Sequence, residues 1–96
     1  MAYQPVVVLQ LPLSDPALLE PFVEACLADR VDLIAIWGEG CEAVEDDVDW
    51  IIVGDGSNPD RYITTSSHPG EPLEEVLNMA RCWRVEGREG IEIVRL

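Results

Sequence analysis

The chain has 96 residues, 48% of them hydrophobic, with 19 carboxylates against 6 arginines, no lysine and a formal net charge of -13. That length gives one domain, residues 1–96, around a single core, and the hydrophobic content excludes a disordered chain. So negative a surface repels nucleic acid and anionic lipid, and the absence of any apolar run near ~20 residues excludes a helical membrane span.

Val6 to Leu11 is predicted as the first strand, its ends fixed by Pro5 and Pro12, which cannot donate to a ladder. Ser14-Asp15-Pro16 then offers an N-cap with proline at the first helical position. Leu18, Leu19, Phe22, Val23, Cys26 and Leu27 recur at helical spacing. Pro21 would fall at the sixth helical position and remove a backbone bond, so a loose turn over 15–20 and regular helix over 21–30 are expected.

Val31 to Trp37 is a run of mostly branched apolar residues, the composition of a strand buried on both faces of a parallel sheet. Gly38-Glu39-Gly40 forms the following turn, at the carboxyl end of a strand where α/β sheets place ligands. From Cys41, the residues Val44, Val48 and Ile51 share one helical face, while Glu42, Glu45, Asp46 and Asp49 share the opposite one. Residues 50–53 fit either the end of that helix, stopped by Gly54, or a short strand. The helix is favoured as far as about Ile52, because it keeps strands and helices alternating.

Residues 55–60 read as loop, and Arg61 to Ser66 as the third strand. Glu71-Pro72 opens the last helix, with Leu73, Val76, Leu77, Ala80 and Trp83 facing inward. A turn over 87–90 leads to Ile91–Leu96, whose alternation suits an edge strand. The order is β-α-β-α-β-α-β: an α/β three-layer sandwich with a mostly parallel four-stranded sheet of Rossmann or flavodoxin-like type. The expected strand order is the flavodoxin-like 2-1-3-4.

Cys26, Cys41 and Cys82 are an odd number at wide spacings with no CxxC pair, which argues against a disulfide framework and a zinc knuckle. Cys26 and Cys82 lie in helical apolar patterns and read as small core residues. Cys41 alone sits at a turn and is open to three readings: packing, a reactive thiol lowered by the helix dipole, or a metal ligand. His68 either bonds a neighbouring backbone or caps the last helix, or acts as a base with Glu71 orienting its ring. A cation held by Cys41, His68 and nearby carboxylates would suit the charge, though the spacing is not diagnostic. No metal or other cofactor is expected from the spacings. Gly38-Glu39-Gly40 lacks the third glycine of a dinucleotide fingerprint and the lysine of a phosphate loop, and six carboxylates lie between Glu39 and Asp49.

Trp37-Gly38-x-x-Cys41-Glu42 with Asp46, Val48 and Asp49, then Thr65-Ser66-Ser67-His68-x-x-Glu71-x-Leu73-x-Glu75, resemble the marks of an uncharacterised family of small bacterial α/β proteins. That family's pattern has Trp-Gly-x-x-Cys after the second strand and Thr-Thr-Trp-His-x-x-Glu-x-Leu before the last helix. The likeness spans residues 36–80. Ser66 stands where the second Thr would be and Ser67 where the Trp would be, which implies a more open site if that Trp packs over it. The resemblance implies the fold and the pairing of the two segments, and no activity.

Residues 1–60 hold 13 carboxylates against Arg30 alone. The leading expectation is therefore a non-enzymatic cytoplasmic protein of immunity or regulatory type. It would offer Glu42, Glu45, Asp46, Asp49 and an exposed Trp50 to a basic partner. The alternatives are a small enzyme or ligand-binding protein using Cys41, His68 and Glu71, and a homodimer closed through strand 91–96 or a tryptophan.

Overall fold

The structure is a computed structural model and describes residues 3–83, 87 and 89–96. Four strands, β1 (Val6–Gln10), β2 (Leu33–Trp37), β3 (Thr64–His68) and β4 (Ile91–Val94), alternate with three helices, α1 (Leu19–Ala28), α2 (Cys41–Val53) and α3 (Leu73–Cys82). All strand pairs are parallel, and the sheet order is β3-β2-β1-β4. The α/β sandwich is thus as expected, but the order is 3-2-1-4 rather than 2-1-3-4. The physical reason lies in which face each helix covers. Alternate strand residues Val7, Leu9, Ile34 and Ile36 pack with residues of α1 and α2, whereas Val6, Val8, Leu33 and Ala35 pack with those of α3. With right-handed crossovers, two helices on one face carry the chain two steps in one direction, and the third on the other face returns it past β1.

Local corrections have local causes. Helix α1 begins at Leu19, after a single turn of 3-10 helix at Pro16–Leu18 capped by the Asp15 carboxylate. Pro21 is therefore the third helical residue, where an N–H has no helical acceptor and none is lost. Residues 50–53 are helix, ended by Gly54 at φ 61°. Strand β3 starts at Thr64 rather than Arg61. Arg61 is committed elsewhere: its guanidinium donates to the Ile51 and Ile52 carbonyls and forms a two-pronged pair with Glu24 at 2.7 and 2.8 Å. It thereby closes the carboxyl end of α2 onto α1, where a cation is favoured by the helix dipole. Cys82 is exposed rather than core, whereas Cys26 is fully buried. The expected turn over 87–90 falls partly outside the described residues.

The hydrogen bond from Arg61 holds the Glu24 carboxyl below the ordinary carboxylate range. A carboxyl depressed on folding contributes stability above its unfolded pKa, and the contribution is lost as pH falls through the folded value. Glu24→Gln is expected to flatten the acid limb of a stability–pH profile below about pH 4.5, the ordinary glutamate value, with little change near neutrality beyond the lost pair. Urea unfolding at a series of pH values measures this; parallel acid limbs would refute it.

Candidate functional site

The carboxyl ends of β2 and β3 are adjacent, with Trp37 registered against His68. The turns that leave them line one cleft of about 650 Å³, walled by residues 37–42 and 68–72. Gly38 makes the first turn possible. Its φ is 124°, and a Cβ there would lie 2.9 Å from that of Leu11, so both the backbone and the space demand glycine. The second turn is held from across the cleft, where the Trp37 indole N–H donates to the Glu71 carbonyl at 2.6 Å.

In an open sheet of order 3-2-1-4 the crevice at the topological switch point lies between β1 and β4. Here the chain itself crosses that position, with the Ser14 N–H bonded to the Leu96 carbonyl at 2.7 Å. The cleft opens one strand over, between β2 and β3.

His68 is largely covered, its side chain 11% exposed, and both ring nitrogens are engaged. Nδ1 lies 3.0 Å from Glu71 Oε2 and Nε2 lies 2.8 Å from Ser66 Oγ. An ionised carboxylate only accepts, so opposite one the Nδ1 position is the donor, and a neutral ring with that tautomer accepts from the Ser66 hydroxyl at Nε2. Hydroxyl, imidazole and carboxylate are thus connected in the sense of a nucleophile, its base and the group that orients the base.

The partner on the ring is Ser66, not the Cys41 of the sequence reading. Ser66 and His68 register with Ala35 and Trp37, on the sheet face that α3 covers. Cys41, 1% exposed, packs on the other face with Val48 and Phe22 in the core beneath α1 and α2. Both turns reach the cleft, but the two side chains belong to opposite faces of the sheet. The signal for Ser66 was its spacing of two from His68, which puts both on one face of a strand, but a strand ending at Ser66 concealed it.

The acidic face of α2 divides. Glu42, Asp46 and Asp49 are exposed, whereas Glu45 is half-buried. Thr65 Oγ1 lies 3.0 Å from Glu45 Oε2 and 2.6 Å from Asp49 Oδ1, so these two carboxylates turn toward β3. Trp50 is 74% exposed and shares a shallow pocket of about 210 Å³ with Asp46, Asp49 and Val53. Trp37 and Trp83 are half-buried against α3. Among the described residues, no group of three or more His, Cys, Asp and Glu side chains could hold a metal ion. No helix among them is long and apolar enough to cross a membrane.

Burial pushes the Cys26 thiol up to about 12, with Asp29 and Glu92 adding to the effect. With Cys41 also buried, a native-state titration with an aromatic disulfide reagent is expected to show one fast thiol, Cys82, abolished in Cys82→Ser. Two fast thiols would place Cys41 within reach of solvent and contradict its packing.

Comparison with curated proteins and with solved structures finds no match. A family model described as a domain of unknown function (DUF7684) matches residues 3–87. The chain, with its parallel sheet and the cleft between its two tryptophan- and histidine-bearing turns, belongs to that domain family.

Proposed function

We propose that the protein is a non-enzymatic cytoplasmic interaction module of immunity or regulatory type that offers the acidic outer face of α2 to a basic protein partner. The observation that carries the reading is Trp50, 74% exposed on that helix beside Asp46 and Asp49, with Val53 also exposed at 50%. A large aromatic surface in water beside carboxylates is the composition of a binding anchor with a steering rim. The concentration of negative charge in residues 1–60 speeds encounter with a cationic surface and opposes nucleic acid and anionic lipid. It also opposes pairing of the chain with itself.

The test is a fluorescent oligolysine titrated at about 0.01 M ionic strength, where the Debye length is roughly 30 Å. Changing Glu42 and Glu45 to Gln, and Asp46 and Asp49 to Asn, is expected to weaken binding about tenfold or more and to flatten its salt dependence. Unchanged affinity and slope would remove the reading.

One observation favours a second reading, a small hydrolase: the bonding of Ser66 to His68 and of His68 to Glu71. In that reading Ser66 Oγ attacks an ester carbonyl as its proton passes to His68 Nε2, and the Glu71 carboxylate stabilises the imidazolium. The ester C–O bond breaks with that proton going to the leaving alcohol, and water activated by His68 then releases the acid from the acyl-serine. A fluorophosphonate probe, which loses fluoride to a nucleophilic serine, is expected to label the protein and to fail on Ser66→Ala and on His68→Ala. Absence of labelling in the unmodified protein would dismiss it.

A further inference from the structure

Strand β3 is an outer strand, and among the described residues no other strand pairs with its far edge. The Thr64 N–H donates to the Asp32 carbonyl at 3.1 Å. With the register Leu33 to Thr64 through Trp37 to His68, a parallel ladder turns both backbone groups of Thr64, Ser66 and His68 toward β2. The N–H and C=O groups of Thr65 and Ser67 therefore point away from the sheet, and among the described residues no backbone group pairs with them. Sheet edges are normally guarded by lysine, proline, bulges or charges. The run Thr64-Thr65-Ser66-Ser67 has none of these, and Pro69 only closes its far end. The other edge, β4, carries Glu92 and is followed by Arg95.

The flank of this outer edge is acidic and aromatic. One hydroxyl proton on Thr65 faces two carboxylates, so it satisfies Glu45 or Asp49 but not both, and the two charges are held against a single oxygen atom. Trp50 and Tyr62, each 74% exposed, stand on the helix and the loop that border the strand. A strand added at the usual spacing of ~4.8 Å would bring every second side chain onto the α2 face, alongside Thr65 and these carboxylates.

We propose that the outer edge of β3 takes an extended segment of the basic partner as a fifth strand, with Lys or Arg at every second position set against Glu45 and Asp49. The proposal rests on the reading of the protein as a binder of a basic partner and adds the form that partner takes. Main-chain bonds to Thr65 and Ser67 give a fixed register, and the period-two cations give specificity. A second copy of the chain does not suit the edge, since it would bring another net charge of -13 to the same surface.

The experiment compares two peptides of one composition, Lys-Thr-Lys-Thr-Lys-Thr-Lys and Lys-Lys-Lys-Lys-Thr-Thr-Thr, titrated against the full chain at low ionic strength. The alternating peptide is expected to bind about tenfold tighter. Methylating one alternate set of its amide nitrogens should abolish that advantage, and methylating the other set should leave it, because a strand pairs by one edge only. Ser67→Pro removes an outward N–H at a position where sheet edges tolerate proline, and should erase the preference with an unchanged far-ultraviolet circular dichroism spectrum. Equal binding of both peptides, insensitive to methylation, would overturn the fifth strand and leave the acidic-face reading standing. Binding by neither would overturn both. Light scattering that shows a dimer lost in Ser67→Pro would assign the edge to a second copy and overturn the proposal.

Discussion

The constraint on which this fold turns is that a parallel strand must be covered on both faces. Val6, Val7, Val8 and Leu9 of β1 are at most 2% exposed, and Leu33 to Ile36 of β2 at most 1%. Removing most of one such side chain costs about 2–5 kcal/mol, a large share of the 5–15 kcal/mol that holds a typical domain together. Coverage is nevertheless unequal. Helices α1 and α2 lie side by side on one face, while α3 alone serves the other and packs on β1 and β2. Strand β3 is left with half-buried positions throughout, and its sequence is polar for that reason. The hydroxyl, imidazole and carboxylate of Ser66, His68 and Glu71 occupy the part of the sheet that a single helix cannot reach.

The same topology distributes the negative charge. Helix α2 borders β3, so part of its acidic face meets a hydroxyl-bearing strand instead of bulk water. At the other end of α2, Arg61 satisfies two terminal carbonyls and the Glu24 carboxylate together. One arginine thus adds to the Gly54 cap of the last turn and ties two helices of the acidic half to each other.

The helices were legible in the sequence because their apolar residues recur with the helical period, and β1 and β2 because they are short, branched and bounded by proline or glycine. The order of the strands was not legible, since it depends on which face each helix packs against, a non-local fact that no window of residues contains. The sequence points to β3 too early because Tyr62 and Ile63 have strand propensity, while the strand Thr64–His68 is an outer one and lacks the apolar alternation that marks a strand. That the turns after Trp37 and after β3 share one rim is legible from strand polarity; that they are neighbours is not, since the order 2-1-3-4 would put β1 between them. That Cys41 and His68 lie on opposite faces is not legible, because face assignment needs the register of β3, and a strand that ends at Ser66 does not set it beside His68 on one face.

Electrostatics bears on what the rim of this sheet can do. Glu39, Glu42 and Glu71 line the cleft. At an effective dielectric of 20, two unit charges 4 Å apart interact by about 4 kcal/mol, whereas the positive end of a helix such as α2 contributes about 0.3–1 kcal/mol to an anion. A single well-placed oxyanion donor is worth about 2.7–4 kcal/mol. Carboxylates at a cleft rim oppose a developing negative charge, and a helix terminus contributes only a small favourable part in return. A cation gains from the same carboxylates at every step of its approach. The rim of this sheet is in that sense an electrostatic surface for cations, set by which carboxylates the α2 and β3 turns bring to it.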